Sequence, residues 1–117
     1  MEGGDHVRVL VANEPRSYRE VIAAAIQALR PLAMVSVVEP AKMDQAVTDR
    51  QPHLVVCSQL TALVRSLPFA SIMLYPAGSN QVEVRVGQTQ TATMDLPFDQ
   101  LMAVIDQAAG MVGAGQA

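Results

Sequence analysis

The sequence contains few aromatic residues and only one cysteine. Of its 117 residues, 3% are aromatic and none is tryptophan, whereas 50% are hydrophobic. The core must therefore be built from aliphatic side chains and methionine rather than from packed rings. The single cysteine, Cys57, excludes an internal disulfide and fits a reducing compartment.

The sequence also lacks an excess of positive charge, long apolar runs and a leader segment. Eight Lys and Arg residues against eleven Asp and Glu give a net charge of −3, which provides no basic field for nucleic acid. No apolar run approaches the ~20 residues that cross a membrane. Residues 1–6 have neither the basic nor the apolar region of a signal peptide. The sequence thus predicts a cytoplasmic protein with no nucleic-acid and no membrane partner.

What the sequence does contain is a regular alternation of strand-like and helix-like segments. Residues 7–12, 33–38, 53–57 and 70–75 are short and mostly apolar, which is typical of strands covered on both faces. Prolines and polar pairs punctuate the chain between them. The pattern predicts four parallel strands joined by crossover helices.

Apolar residues at helical spacing predict the connecting helices. The predicted ranges are residues 15–30, 40–50 and 97–111, with a short helix over 59–66. We expect Arg19 on the solvated face of the first helix rather than in a phosphate-binding patch. The buried stripe predicted for that helix consists of Val21, Ile22, Ala25, Ile26 and Leu29.

The segment after the fourth strand departs from this rhythm. Residues 82–86 and 89–94 alternate with period two, and Gly87-Gln88 separates them. The second of these runs is rich in threonine, which favours strands. The pattern therefore predicts a strand, a turn and a strand where a helix would continue the alternation.

These elements predict a single α/β domain. The simplest arrangement is a three-layer α/β/α sandwich around a mainly parallel, five-stranded sheet of order 2-1-3-4-5, with the helix after strand four replaced by or shortened to an extended segment. We expect the core over residues 7–110 and flexible ends at residues 1–5 and 113–117. In this order strands one and three are neighbours, so ligand chemistry belongs at their carboxyl ends.

Three segments resemble the receiver domains of bacterial response regulators. They are Leu-Val-Ala-Asn-Glu-Pro at residues 10–15, Pro-His-Leu-Val-Val-Cys-Ser at residues 52–58, and Leu-Pro-Phe at residues 96–98. The resemblance extends over residues 7–108. It implies the flavodoxin-like fold of those domains and a place in bacterial signalling.

The resemblance implies a phosphorylation site that has degenerated. Receivers have an acidic pair where this chain has Ala12 and Asn13, and a phosphate-accepting aspartate where it has Ser58. They have a threonine or serine near the position of Tyr75, and a lysine where this chain has Leu96. Mg²⁺ prefers carboxylate ligands, and a serine cannot form an acyl phosphate. The sequence thus predicts no aspartyl phosphorylation, no catalytic residue and no cofactor.

Few other residues are candidates for chemistry. His6 and His53 lack metal-ligand spacing, so no metal site is predicted. Cys57 has no flanking basic residue, which favours a buried filler over a redox or phosphoryl-carrying thiol. The polar residues at the predicted sheet edge either cap loop backbone or line a small ligand pocket; these are Asn13, Glu14, Ser58 and Tyr75.

The valine row after the fourth strand is the candidate association face. Val82, Val84 and Val86 would lie on one side of their strand. The segment is either a surface hairpin that extends the sheet or a face that pairs with another chain. We expect a non-enzymatic pseudo-receiver that acts as a protein-interaction or dimerisation module, with a homodimer as the expected state. The alternatives are a domain that senses a small ligand at the edge of strands one and three and, less favoured, an enzyme subunit that uses Cys57.

Overall fold

A six-stranded mixed sheet forms the centre of the molecule. The computed structural model describes residues 7–67, 70–74, 81–95 and 97–116, with side chains described up to residue 110. The order of the strands across the sheet is β2-β1-β3-β4-β5-β6. Their bounds are β1 Arg8–Ala12, β2 Met34–Val37, β3 Leu54–Cys57, β4 Ala70–Leu74, β5 Gln81–Val86 and β6 Thr89–Met94.

The sheet is parallel at one end and antiparallel at the other. β1 pairs in parallel with β2 and β3, and β3 pairs in parallel with β4. β5 runs antiparallel to β4, and β6 runs antiparallel to β5. The prediction of a mainly parallel, five-stranded sheet of order 2-1-3-4-5 is therefore wrong at the end formed by β5 and β6. There the strands are antiparallel, and a sixth strand extends the sheet. A parallel crossover needs about a dozen residues, whereas only residues 75–80 lie between β4 and β5 and only two lie between β5 and β6.

Among the described residues, four α-helices lie on the two faces of the sheet. They are α1 Arg16–Leu29, α2 Met43–Arg50, α3 Ala62–Arg65 and α4 Phe98–Gln116, and a 3-10 turn at Pro40–Lys42 leads into α2. The α/β class and the three layers agree with the prediction. α4 extends to Gln116, beyond the predicted helix end at residue 111 and into the predicted flexible end at residues 113–117, because each glycine within a helix costs only about 1 kcal/mol relative to alanine.

The alternation of side chains along the strands divides the core in two. On the front face, Val9, Val11, Leu54 and Val56 pack with residues of α1 and α4. On the back face, Leu10, Ala12, Val55 and Cys57 pack with residues of α2 and α3. All eight strand residues are at most 1% exposed. β1 and β3 are therefore apolar on both sides, which explains the continuous apolar runs in the sequence.

The first helix is rotated relative to the predicted stripe. Its buried residues are Arg19, Ile22, Ala23 and Ile26. Val21 is 65% exposed and Leu29 is 51% exposed, so two of the predicted core positions face outward. Ile22 and Ile26 belong to both the predicted and the observed stripe. The guanidinium of Arg19 donates to the carbonyl oxygen of Asn13 at 3.3 Å, and this contact keeps the side of the helix that carries Arg19 turned towards the sheet. The predicted solvation of Arg19 was wrong.

The entry of β3 is held against the start of β1 by His53. The backbone N–H of Arg8 donates to Nδ1 of His53 at 2.9 Å, and the N–H of His53 donates to the Arg8 carbonyl at 2.8 Å. Burial and then the nearby Arg8 charge lower the pKa of His53 below its usual value. A neutral ring with an acceptor nitrogen suits this position. His53 lies at the edge of the sheet opposite to the predicted ligand edge.

Within the described ranges, no helix combines the length and the apolar character that a membrane crossing requires.

Candidate functional site

The carboxyl ends of β1 and β3 lie side by side, as predicted. Ala12 is paired with Cys57 in the register of the two strands, so Asn13, Glu14 and Ser58 follow at one edge of the sheet. The backbone N–H of Glu14 donates to Oγ of Ser58 at 3.1 Å. The sequence thus identified three residues that the structure brings together. Tyr75 and Leu96, the other predicted positions, lie outside the described residues.

Asn13 is the unusual residue of this edge. Its side chain is 0% exposed, and neither Nδ2 nor Oδ1 of its carboxamide has a hydrogen-bond partner. A buried polar group left without a partner costs about 1–3 kcal/mol. Such a group in a folded protein calls for an explanation, such as a bound molecule or a functional constraint. Sequence reasoning flagged Asn13 as a lost acidic position and had no signal for its missing partners.

Arg19 completes the polar cluster and was not among the predicted site residues. Its side chain is 9% exposed and reaches the Asn13 carbonyl from the first turn of α1. The only cue in the sequence is its spacing, six residues after Asn13 and within one helical turn of Pro15. That cue does not distinguish a buried arginine from a solvated one.

The donors at this edge do not fit the Mg²⁺ of receiver domains. Ala12 is 1% exposed and packs in the back core, where it offers no ligand. Asn13 contributes a neutral carboxamide, and Glu14 is the one carboxylate of the predicted set. Over the part of the chain that is described, no three His, Cys, Asp or Glu residues converge on a common point. Mg²⁺ binds through carboxylates with near-ideal octahedral geometry, and this set does not provide them.

Cys57 lies beside the cluster but faces the back core. It is 1% exposed, and burial raises the pKa of its thiol to about 12. The backbone of Gln59 and the charge of Arg65 act in the opposite direction without overcoming the burial. The thiolate is the reactive form of cysteine, so this environment disfavours reaction at Cys57.

Comparisons with known proteins identify no family. A scan against protein-family models, a search of curated proteins and a search of solved structures each returned no match. The resemblance to receiver domains therefore stays a proposal.

The hairpin of β5 and β6 forms a second candidate region. Val82 is 1% exposed and packs in the front core, whereas Val84 and Val86 are only partly buried. Contact of the valine row with another chain therefore has to use Val84 and Val86. These two valines lie in register with Thr91 and Thr89 of β6.

A groove of about 540 Å³ separates the front of this hairpin from α4. The hairpin contributes two valines and three threonines, and α4 contributes two glutamines, an alanine and a valine. α4 contacts β5, and the groove lies between α4 and the outer part of the hairpin. The full lining is Val84, Val86, Thr89, Thr91, Thr93, Gln100, Ala103, Val104 and Gln107. The sequence predicted the valine row but not the threonine row beside it, because neighbour relations between strands follow only from the register.

Proposed function

We propose that this chain is a non-enzymatic, receiver-like domain of the flavodoxin-like type that acts as a protein-interaction or dimerisation module in bacterial signalling. Its input is not an aspartyl phosphate. The observation that carries the proposal is the chemistry of the edge at β1 and β3. Where receivers have an acidic pair and an acceptor aspartate, this chain has a buried alanine, a buried carboxamide and a serine.

The serine of this edge lacks the surroundings of a nucleophile. Activation of a serine hydroxyl requires an adjacent base. Oγ of Ser58 accepts a hydrogen bond from the backbone of Glu14, which orders the loop after β1. His53 precedes the first residue of β3, whereas Ser58 follows its last, so the imidazole lies at the opposite edge. These contacts support a structural role for Ser58.

The hairpin supports the interaction half of the proposal. Receivers place a helix between their fourth and fifth strands, and this chain has β5 and β6 after β4 instead. β6 is exposed along its whole length, and the front of the hairpin is open. Exposed strands and open sheet faces are surfaces on which other chains bind.

Phosphorylation chemistry provides the test of this function. We expect no phosphoryl mass gain when the protein is incubated with acetyl phosphate and Mg²⁺ and its intact mass is measured. A receiver with a complete acidic pair, treated in parallel, is the positive control. A stable gain that maps to Ser58, or to a carboxylate at this edge such as Glu14, would contradict the proposal.

A small-ligand sensor is the second candidate, and the orphaned carboxamide of Asn13 favours it. A ligand that donates to Oδ1 and accepts from Nδ2 would satisfy a group that is otherwise buried at a cost. Glu14 and Ser58 lie at the same edge and would extend the polar surface.

The variant Asn13→Leu is expected to be more stable than the wild type. Replacing an unsatisfied buried amide by an apolar side chain of similar size removes the desolvation cost, so the free energy of unfolding should rise by about 1–3 kcal/mol. Urea denaturation measures this change. Ser58→Ala is the matched control, because it removes the acceptor of the Glu14 N–H and should lower the stability by about 1 kcal/mol.

Thermal shifts against a metabolite panel then separate the two functions. For a sensor, a ligand raises the melting temperature of the wild type and not that of Asn13→Leu. A loss of stability in Asn13→Leu would show that the carboxamide is satisfied in solution, which removes the observation that favours the sensor.

A further inference from the structure

The outer edge of β6, the side that faces away from β5, is an unprotected edge of the sheet. β6 is the last strand in the sheet order, and all its residues are exposed. Its sequence, Thr-Gln-Thr-Ala-Thr-Met, contains no charge and no proline. The register with β5 is continuous from Val86 to Gln81, so no bulge interrupts it. Natural sheets usually protect an edge strand with a charged residue, a proline or a bulge, and β6 has none of these.

The turn between β5 and β6 determines which backbone groups point outward. Val86 and Thr89 pair across the two-residue turn Gly87–Gln88, and Gly87 has a φ of 61°. Residues that flank such a turn exchange both hydrogen bonds, and the pattern then alternates along the strand. Thr89, Thr91 and Thr93 therefore bond to β5. The N–H and C=O groups of the residues between and after them point away from the sheet; these residues are Gln90, Ala92 and Met94.

The outward N–H and C=O groups of β6 can pair with the same groups of a second β6. In an antiparallel pair of identical strands, a two-fold axis through Ala92 places Ala92 opposite its own copy and Gln90 opposite Met94 of the second copy. Every outward N–H and C=O of both strands then finds a partner. An axis through Thr91 leaves the N–H and C=O groups of Met94 without a partner on the second strand. The pairing through Ala92 also sets Thr91 opposite Thr93 on the front face, and threonine pairs across strands are favourable.

We propose that β6 pairs with β6 of a second copy of this chain, antiparallel and centred on Ala92, to form one continuous sheet. This inference rests on the proposed function and names its partner and surface. The front grooves of the two copies then meet across the seam, between the two α4 helices. A closed two-fold pair leaves no further β6 edge open, which explains how an unprotected strand is tolerated.

The charges near the seam permit this pairing. Glu83 is the acidic residue nearest to Ala92 in the register. Three strand spacings separate it from its copy, or about 14 Å, which exceeds the ~8 Å screening length at physiological ionic strength. Glu83 also has Arg65 at 3.8 Å. The edge strand is only about 20 Å long, so the pair buries less than a standard interface of ~800 Å² per partner. We therefore expect a dissociation constant in the micromolar range.

Charge substitutions at position 92 test whether the two-fold axis of the dimer passes through Ala92. Sedimentation velocity from about 1 to 500 µM should show a monomer–dimer equilibrium for the wild type. Ala92→Lys and Ala92→Glu each place like charges directly opposite one another, and each should raise the dissociation constant by up to about fivefold. An equimolar mixture of the two variants should dimerise again, because opposite charges then meet at the axis. Ala28→Lys, at an exposed alanine of α1, is the matched control and should dimerise as the wild type does.

The outcomes distinguish this inference from the proposed function. Recovery in the mixture supports the axis at Ala92. If Ala92→Lys and Ala28→Lys both dimerise like the wild type, the copies meet through another surface; the inference falls and the interaction module stands. A wild type that stays monomeric at 500 µM, or that grows beyond a dimer, also overturns the inference. Failure of the proposed function appears separately, as phosphoryl transfer from acetyl phosphate.

Discussion

Cys57 is expected to react with a thiol reagent about a thousand times more slowly in the folded protein than in the unfolded chain. Burial raises the pKa of its thiol from 9.0 to about 12, which lowers the thiolate fraction near neutral pH by that factor. The side chain is 1% exposed, so access to the reagent falls as well. The measurement is the rate of reaction with a chromogenic disulfide at pH 8, in buffer and in guanidinium chloride.

A cysteine moved by one residue is the control for this reaction. Ser58→Cys in a Cys57→Ala background carries one thiol at a half-buried position just outside the strand. It should react far faster than Cys57 under the same conditions. Equal rates in the folded and unfolded wild type would contradict the burial argument and revive a reactive role for Cys57.

The same pKa shift predicts a loss of stability at high pH. The folded protein keeps the thiol protonated up to a pKa of about 12, whereas the unfolded chain releases the proton above pH 9.0. The unfolded state then binds fewer protons, so stability is complete below pH 9.0 and falls by about 1.4 kcal/mol per pH unit above it. Cys57→Ala should lose this component, which denaturant titrations of both proteins at pH 8 and pH 10 would reveal.

Leu54→Ala is expected to lower the free energy of unfolding by about 3–5 kcal/mol. Leu54 opens β3 at the centre of the sheet and is 0% exposed in the front core. Truncation removes buried methyl groups and leaves a cavity that rigid neighbours on both sides cannot fill. A loss of this size is a large share of the stability of a small domain.

Leu63→Ala is the matched control for the central strand. It deletes the same atoms from a side chain in α3 that is 37% exposed. We expect a smaller loss of about 1–2 kcal/mol, because this side chain is only partly removed from water in the folded protein. Urea denaturation of the two variants measures the difference. Similar losses of unfolding free energy in the two variants would mean that Leu63 is packed as tightly as Leu54. That result would contradict the difference in exposure between the two leucines.

The strands and their partners were largely readable from the sequence. Runs such as residues 7–12 and 53–57 are apolar on both faces, which happens when helices cover both sides of a sheet. The alternation in residues 82–86 and 89–94 predicted the two last strands within one residue of their observed bounds. The predicted hairpin implied that these two strands run antiparallel to each other, but the antiparallel direction of β5 against β4 was missed. It follows from the short connections, and the receiver resemblance had suggested a parallel fifth strand.

The orientation of α1 could not be predicted in the same way. Its apolar residues cover a wide arc, and Val21 and Leu29 are as hydrophobic as Ile22 and Ile26. Which half of the arc is buried depends on the position of the neighbouring strands and on the contact of Arg19 with the Asn13 carbonyl. Both belong to the tertiary structure, since the propensities along the helix are the same in either orientation.

In the candidate site, too, some properties follow from the sequence and others only from the tertiary structure. Residue types alone argue against aspartyl phosphorylation at the positions that the receiver resemblance indicates, because the absence of carboxylates at Ala12, Asn13 and Ser58 does not depend on geometry. The burial of Asn13 without partners and the hydrogen bond between Glu14 and Ser58 depend on where the chain places these groups. The proposed interaction role therefore rests on the structure, whereas the expected absence of aspartyl phosphorylation rests on the sequence.

The sequence by itself determined the α/β class, the aliphatic core, the strand after β4 and the unsuitability of the β1–β3 edge for Mg²⁺. These properties follow from residue type and period, which are local. Only the tertiary structure decided the sixth strand's place at the edge, the groove beneath α4 and the outward row of Gln90, Ala92 and Met94. These depend on register and on which strand lies last, and residues distant in sequence set both.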